Sequence, residues 1–186
     1  MGGKPATRAW GVWRTMALFI DTFVNRIDKK GRVSVPATFR AALATSNSLG
    51  QNFSGIVALP AFRYDALQCA GLDWLQTLVD QMGKVDLFSD VHDDLSTTLF
   101  SDTKQLAFDG EGRIVLPEML LDHAKLKDEA AFVGRGEIFE IWHPKTFAEH
   151  RAEARRRALE KGMTLRNAGG SAGENNGGNS SGGGAQ

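Results

Sequence analysis

Short alternating stretches of apolar and polar residues predict strands in the first half of the chain. Arg32–Val35 alternates with its two valines on one face, which is typical of a half-buried strand. Val24–Ile27 predicts a short strand just before it. Pro36 cannot continue a strand ladder but suits the first turn of a helix, so Ala37–Ala44 is expected to be helical. With the apolar run Gly55–Leu59, the pattern is strand, tight turn, strand, short helix and strand.

The same pattern recurs at a constant offset of 81 residues, which indicates an internal repeat. Ile27–Pro36 matches Phe108–Pro117, with identities at Asp, Gly, Arg and Pro. A helix is then expected at Glu118–Ala124, and strands are expected at Ala130–Val133 and Ile138–Trp142. The chain is therefore predicted to contain two copies of one small β-rich unit.

Helical periodicity dominates the segments outside the two copies. Tyr64–Met82 predicts an amphipathic helix, although Gly71 inside it weakens the expectation of a continuous one. Pro60 is expected to begin another helical pattern. A second helix of the insert is expected near Asp90–Phe100, and a very polar C-terminal helix over Pro144–Lys161.

Each copy contains the sequence Asp-x-x-Gly-Arg, whose Asp and Gly are interpreted as turn-forming residues. The carboxylates of Asp28 and Asp109 suit the first position of a turn, where they accept bonds from backbone N–H groups. Gly31 and Gly112 supply the left-handed φ at the end of the turn, which a side chain would disfavour. These four residues are therefore expected to shape two hairpin tips.

Composition and charge narrow the function classes without selecting one. The chain has 22 Lys and Arg residues and 22 Asp and Glu residues, so its net charge gives no sign of a nucleic-acid partner. Cys69 is the only cysteine, which excludes an intrachain disulfide and fits a reducing cytoplasm. No apolar run approaches the roughly 20 residues that cross a bilayer. A membrane protein or a disulfide scaffold is therefore not expected.

No constellation of residues points to an enzyme. The histidines are scattered without metal-ligand spacing, and Asp90–Asp94 is more simply an acidic helix start. Gly134–Gly136 lies between strand-like segments rather than at a helix start, so a phosphate-binding loop is not expected there. No catalytic residue, metal site, cofactor or small-molecule substrate is predicted.

The repeated motif resembles a family of transcription factors. Asp28–Pro36 has the pattern Asp-x-x-Gly-Arg-Val-x-Val-Pro of the AbrB-like swapped-hairpin proteins. Two such units in one chain, together with Val-Gly-x-x-x-x-Phe-Glu-Ile-Trp at Val133–Trp142, resemble the MraZ family in particular. The resemblance covers about residues 17–155. One such motif is weak as an indicator, but two of them in this context are specific.

The resemblance implies a fold of the α+β class that is mainly β. The two units are expected to exchange hairpins within one chain and to close a double-psi-type β-barrel, with an inserted helical hairpin and a C-terminal helix. The expected segments are a flexible arm at 1–16, a first unit at 17–66, a helical insert at 67–102, a second unit at 103–148, a helix at 149–165 and a disordered tail at 166–186.

The resemblance also implies sequence-specific DNA binding through the hairpin tips. A β-ribbon can enter the major groove, where Arg32 would read guanine while Lys29 and Lys30 would hold phosphates. The alternative for Arg32 is a purely structural pair with Asp28, and the two roles are compatible. The full set of expected DNA contacts is Arg26, Lys29, Lys30, Arg32, Arg40, Lys104 and Arg113.

The two tips are not expected to be equal. Gly110 and Glu111 stand where the first copy has Lys29 and Lys30, and Glu111 would repel a phosphate. The second copy is therefore expected to bind DNA weakly or to serve mainly as a structural partner, with DNA contact by Arg113 left open.

Members of the family regulate the bacterial division and cell-wall gene cluster, usually as repressors on short repeated DNA boxes, and assemble into rings. The resemblance thus implies double-stranded DNA and further copies of this chain as partners, in a cytoplasmic, nucleoid-associated location. Whether Trp74 and the Leu72–Val79 face form a ring interface, and whether the C-terminal arginines touch DNA or only face solvent, stays open. The alternative function is a barrel-type protein-interaction or assembly module that does not bind DNA.

Overall fold

Strands and helices alternate through residues 18–47 and 53–162, the part of the chain that the computed structural model describes. The predicted arm at 1–16 and tail at 166–186 lie outside these residues. The strands are β1 Thr22–Arg26, β2 Arg32–Ser34, β3 Gly55–Pro60, β4 Ala66–Ala70, β5 Lys104–Ala107, β6 Arg113–Val115, β7 Glu129–Gly134 and β8 Phe139–Trp142. The helices are α1 Ala37–Ser46, α2 Leu72–Met82, α3 Asp90–Ser101, α4 Glu118–His123 and α5 Pro144–Glu160. The fold is mixed α+β, as the sequence predicts.

The two copies of the repeat share one antiparallel sheet because their strands pair across the copies. The six-stranded sheet has the order β1-β7-β8-β4-β3-β5, and β2 pairs with β6 in a separate two-stranded ribbon. The first strand of the first copy thus pairs with a strand of the second, with Phe23 opposite Phe132. The first strand of the second copy pairs with β3 of the first copy, with Leu106 opposite Ile56.

The expected closed barrel is not formed by the described strands. β1 and β5 are the two edges of the six-stranded sheet, and they do not pair with each other. The physical reason lies in the two Asp-x-x-Gly-Arg turns. Each turn carries the chain off an edge strand into β2 or β6, and these two short strands satisfy each other's hydrogen bonds instead of extending the sheet.

A cluster of aromatic rings forms the centre of the main core. Phe39 of α1 is 1% exposed and lies 5.3 Å from Phe19, 5.5 Å from Phe23 and 5.1 Å from Phe139, measured between ring centroids. These rings come from α1, from β1 with the residues before it, and from β8. The core therefore joins the helix that follows the first turn to strands of both copies.

The region before α2 differs from the sequence prediction. Residues 66–70 form β4 rather than the first turns of an amphipathic helix, and residues 62–65 form a turn rather than the helical pattern expected after Pro60. Leu67 and Cys69 are fully buried, and β4 pairs with both β3 and β8. Because β4 has a hydrogen-bonded strand on each side, residues 66–70 are extended. The helical periodicity predicted for the whole segment holds only for α2. The break falls at Gly71, where a Cβ would overlap Ser46 of α1.

The other predicted elements are confirmed within one to three residues at their ends. α1, α3 and α4 begin at the predicted residues, and α5 begins at Pro144. Two compact units can be distinguished, Met1–Phe147 and Ala148–Gln186, and the first contains both copies of the repeat. Among the described residues, no helix is both long enough and apolar enough to cross a membrane.

Candidate nucleic-acid interface

The first turn is built around the carboxylate of Asp28. Its Oδ1 accepts hydrogen bonds from the backbone N–H of Lys30 at 2.8 Å and of Arg32 at 3.0 Å. The backbone closes the hairpin, since the Gly31 amide donates to the Asp28 carbonyl at 2.9 Å and the Asp28 amide donates to the Arg32 carbonyl at 3.0 Å. Gly31 has φ +72°, so the residue that ends the turn needs the freedom of glycine.

Arg32 is held by Asp28 and remains partly exposed. Its Nε and Nη2 lie 2.7 and 2.6 Å from Asp28 Oδ2, and 34% of its side chain is accessible. The backbone bond from Arg32 is the largest influence on the Asp28 carboxyl, and with the side-chain bond from Arg32 it lowers the pKa of that group. The ion pair fixes the direction of the guanidinium without removing it from solvent.

The remaining cations of the first turn face solvent. Lys29 and Lys30 are exposed at the tip and form no ion pair with any described residue. Arg26 is exposed at the end of β1, opposite Glu129 of β7 in the strand register. The tip therefore presents two lysines and the edge of one oriented arginine.

The second turn reproduces this geometry with a different charge. Asp109 Oδ1 accepts from the backbone N–H of Glu111 at 2.9 Å and of Arg113 at 3.0 Å, and Gly112 has φ +75°. The backbone and side-chain bonds from Arg113 lower the pKa of Asp109 to about 2. Arg113 meets a second carboxylate as well, because its Nη1 lies 2.8 Å from Glu111 Oε2. The hydrogen bond to Asp109 is the main reason why the pKa of Arg113 is raised.

Hydrogen bonds between the copies hold the two turns in one arrangement. The Leu116 amide donates to the Gly31 carbonyl at 2.9 Å, and the Val35 amide donates to the Gly112 carbonyl at 3.2 Å. The side chain of Asn25 adds a bond of 2.6 Å to the Ser34 carbonyl, which ties β1 to β2. Sequence reasoning missed these three contacts. The offset of the repeat was the available signal, because it places Val35 and Leu116 at equivalent positions.

Arg40 and Lys104 lie in different places relative to the turns. Arg40 of α1 is half-buried, and its side chain packs over Gly112 of the second copy, where a Cβ would overlap its Cδ, Cζ and Nη1. Lys104 begins β5, five residues before Asp109, and its Nζ donates to the Ser101 carbonyl at 3.2 Å. The structure therefore brings Arg40 to a turn and leaves Lys104 away from both.

Cys69 and Glu140, two further groups with reactive chemistry, are buried. Burial raises the pKa of the Cys69 thiol well above its usual range, which disfavours a reactive thiolate. Glu140 is 4% exposed, accepts a hydrogen bond from Trp142 Nε1 at 2.9 Å and lies 3.2 Å from Arg135 Nε. Sequence reasoning did not single out Glu140. Among the described residues, no group of His, Cys, Asp and Glu is arranged to hold a metal ion.

Arg156 and Arg157 of α5 form ion pairs along their own helix. Arg156 Nη2 lies 2.7 Å from Glu153, and its Nη1 lies 2.8 Å from Glu160. Arg157 lies 3.4 Å from Glu153, and the side-chain bond from Arg156 lowers the pKa of that carboxyl. This pattern favours a solvated, charge-balanced helix face over a DNA contact at Arg156 and Arg157.

Comparison with known proteins finds one family. A family model described as "MraZ protein, putative antitoxin-like" matches residues 99–167. The protein "Transcriptional regulator MraZ" of Rickettsia bellii (strain OSU 85-389) is 42% identical over 153 residues, which are 82% of this chain and 99% of that protein. Proteins of the same name from Rickettsia felis and Rickettsia akari are 41% and 40% identical, with the same coverage of both chains.

Proposed function

Because this chain belongs to the MraZ family, we propose that it is a transcriptional regulator that binds double-stranded DNA in a sequence-specific manner. The observation that carries the proposal is the first hairpin tip. Lys29 and Lys30 are exposed there beside an arginine whose guanidinium is already oriented by Asp28. Phosphate contacts give affinity and base contacts give specificity, and this tip offers groups for both.

Arg32 is the proposed base-reading residue. Nε and Nη2 point at Asp28, so Nη1 and the second N–H of Nη2 remain for the N7 and O6 acceptors of a guanine. A guanidinium that is fixed before binding loses less conformational entropy when it meets the base. Asp28 therefore contributes by orienting Arg32, although a carboxylate by itself would be repelled by DNA.

Six of the residues proposed to contact DNA lie on or beside the two turns. They are Arg26, Lys29, Lys30, Arg32, Arg40 and Arg113. Asp28, Gly31, Asp109 and Gly112 are the proposed turn-shaping residues. Lys104, at the start of β5, is proposed as a further contact outside the two turns.

The pairing of strands across the copies supports a finer assignment. We propose that β1 with β2 and β5 with β6 are the exchanged hairpins of the AbrB-like arrangement, joined through the β2–β6 ribbon. The proposed targets are short repeated boxes upstream of the division and cell-wall gene cluster, with repression as the outcome. We place the protein in the cytoplasm in association with the nucleoid.

Self-association is part of the proposal, because one tip offers few base contacts. Several linked tips on repeated boxes gain affinity from their effective concentration. The helical insert exposes apolar side chains that suit an interface between copies, and Phe88 is 93% exposed, Leu87 65% and Val91 58%. These residues also favour the alternative of an assembly module without DNA binding.

A mobility shift over a series of salt concentrations tests the proposal. The duplex is the DNA immediately upstream of the gene that encodes this chain, and the control is the same duplex with its repeated boxes scrambled. We expect binding that prefers the native boxes and weakens steeply between about 50 and 200 mM salt, because the release of counterions from the phosphates drives binding less strongly as the bulk salt concentration rises. Two results would contradict DNA recognition and favour the assembly module. One is no binding to either duplex, and the other is equal binding to both duplexes that does not change with salt.

A further inference from the structure

The two copies of the repeat differ at one residue that packs on the turn of the other copy. At the repeat offset of 81, Arg40 of α1 corresponds to Leu121 of α4. Leu121 lies over Gly31, with its Cδ1 3.6 Å from where a Cβ would be, and Arg40 lies over Gly112. Each helix therefore packs a side chain against the turn glycine of the other copy, but only the first copy places a cation there.

The second turn has only one cation of its own, Arg113, and that cation is more fully paired than those of the first turn. Gly110 and Glu111 replace the two lysines of the first turn, and Arg113 is engaged by the carboxylates of both Asp109 and Glu111 at 2.8 Å. A phosphate that approached Arg113 would have to compete with these two carboxylates. Arg40 has no ion pair among the described residues, so its charge is not compensated locally.

The side chain of Arg40 is also poorly explained as a purely structural group. Its Nε is buried without a hydrogen-bond partner among the described residues, although burying an unpaired donor is unfavourable. The equivalent contact in the other half of the molecule is made by a leucine, which carries no such cost. Packing alone would be served better by leucine at both positions.

We infer that Arg40 is the phosphate contact of the second turn, supplied by the first copy across the exchange of strands. The inference rests on the proposed function and assigns the second tip a direct part in binding. Gly112 allows it, since the absence of a Cβ leaves room for the guanidinium on the turn. The phosphates of the DNA would then meet Lys29 and Lys30 at the first tip and Arg40 at the second.

The test measures how the affinity for the upstream duplex depends on salt, by fluorescence anisotropy, for the wild type and three variants. Arg40→Leu copies the residue of the other half, so a stable fold is expected. Arg40→Lys keeps the charge. Arg63→Leu removes one positive charge from the turn between β3 and β4, at the end of β3 away from Gly55. If Arg40→Leu lowers the thermal transition, Arg40→Gln replaces it.

We expect the slope of log Kobs against log salt to become shallower by about 0.9 in Arg40→Leu for each subunit that engages the DNA. Arg40→Lys and Arg63→Leu should keep the wild-type slope. An unchanged slope in Arg40→Leu, with or without a loss of affinity, would assign Arg40 a structural role and overturn the inference alone. A wild type that does not bind the duplex would overturn the proposed function and the inference together.

Discussion

Gly31 and Leu116 belong to different copies of the repeat, and the Leu116 amide donates a 2.9 Å hydrogen bond to the Gly31 carbonyl. A Cβ on Gly31 would lie 2.9 Å from the Leu116 carbonyl oxygen, so the close approach of the two backbones leaves no room for a side chain. The first turn is therefore shaped by the second copy, and neither hairpin has its observed surroundings without the other.

Gly31→Ala should destabilise the protein by about 1–3 kcal/mol, because the substitution forces a side chain into a left-handed φ and against the Leu116 carbonyl. Urea unfolding followed by circular dichroism measures the change. Gly110→Ala is the matched control, since its Cβ would have no heavy atom within 4 Å and its φ is not in the left-handed region. That variant should match the wild type or gain up to about 1 kcal/mol. Equal losses in both variants would contradict the account of the turn.

The local parts of this fold could be predicted from the sequence, and the long-range parts could not. Asp28, Gly31 and Pro36 specify a turn, a left-handed residue and a helix start through their own chemistry, and the structure has each of these features. β4 was missed because its strand character comes from pairing with β3 and β8, which lie elsewhere in the chain.

The candidate site shows the same division. The repeat predicted which residues are equivalent, and the family resemblance implied exchanged hairpins, but neither showed which side chains of one copy meet the other copy. Arg40 lies over Gly112 only because the two copies pack against each other. The sequence around Arg40, four residues after Pro36, therefore did not indicate that its side chain contacts the turn of the other copy. The barrel was wrongly expected because closure depends on which edges pair, and this information is not local.

The Asp109 carboxyl should titrate with a pKa of about 2, measured by NMR at its side-chain carboxyl carbon. The folded pKa lies below the ordinary value, so the stabilising bonds to this carboxylate are complete above about pH 4 and are lost as the pH falls toward 2. In Arg113→Ala the pKa should rise only part of the way toward the ordinary value, because the side-chain bond is lost while the larger influence, the backbone bond from residue 113, remains. A normal pKa in the wild type would contradict the geometry of the turn.

Phe39→Ala should cost about 3–5 kcal/mol of stability, since this ring is 1% exposed and contacts three other phenylalanines. Phe62→Ala is the control, because Phe62 is 57% exposed and its loss should change stability by less than about 0.5 kcal/mol. Denaturant unfolding compares them. A small effect of Phe39→Ala would mean that the aromatic cluster is not the centre of the core.

Replacing Lys29 and Lys30 with alanine should weaken binding to native and scrambled duplexes by the same factor, because the lysines contact phosphates. The slope of log Kobs against log salt should become shallower by about 1.8 for each engaged subunit. Lys84→Ala with Lys145→Ala removes the same charge from the helical insert and from the start of α5, and should leave the slope unchanged. Equal effects of the two pairs would indicate a general charge effect rather than contacts at the tip.

Arg32 is proposed to read a base while Asp28 orients its guanidinium. The ratio of the dissociation constants for the scrambled and the native duplex tests this role of Arg32 most directly. Arg32→Ala should lower this ratio roughly 5- to 150-fold for each box, which corresponds to a loss of about 1–3 kcal/mol of discrimination. Arg32→Lys should also lower it, because lysine keeps the charge but cannot form the bidentate contact. If both variants stay folded and keep the wild-type ratio, Arg32 does not read the sequence and its pair with Asp28 is structural only.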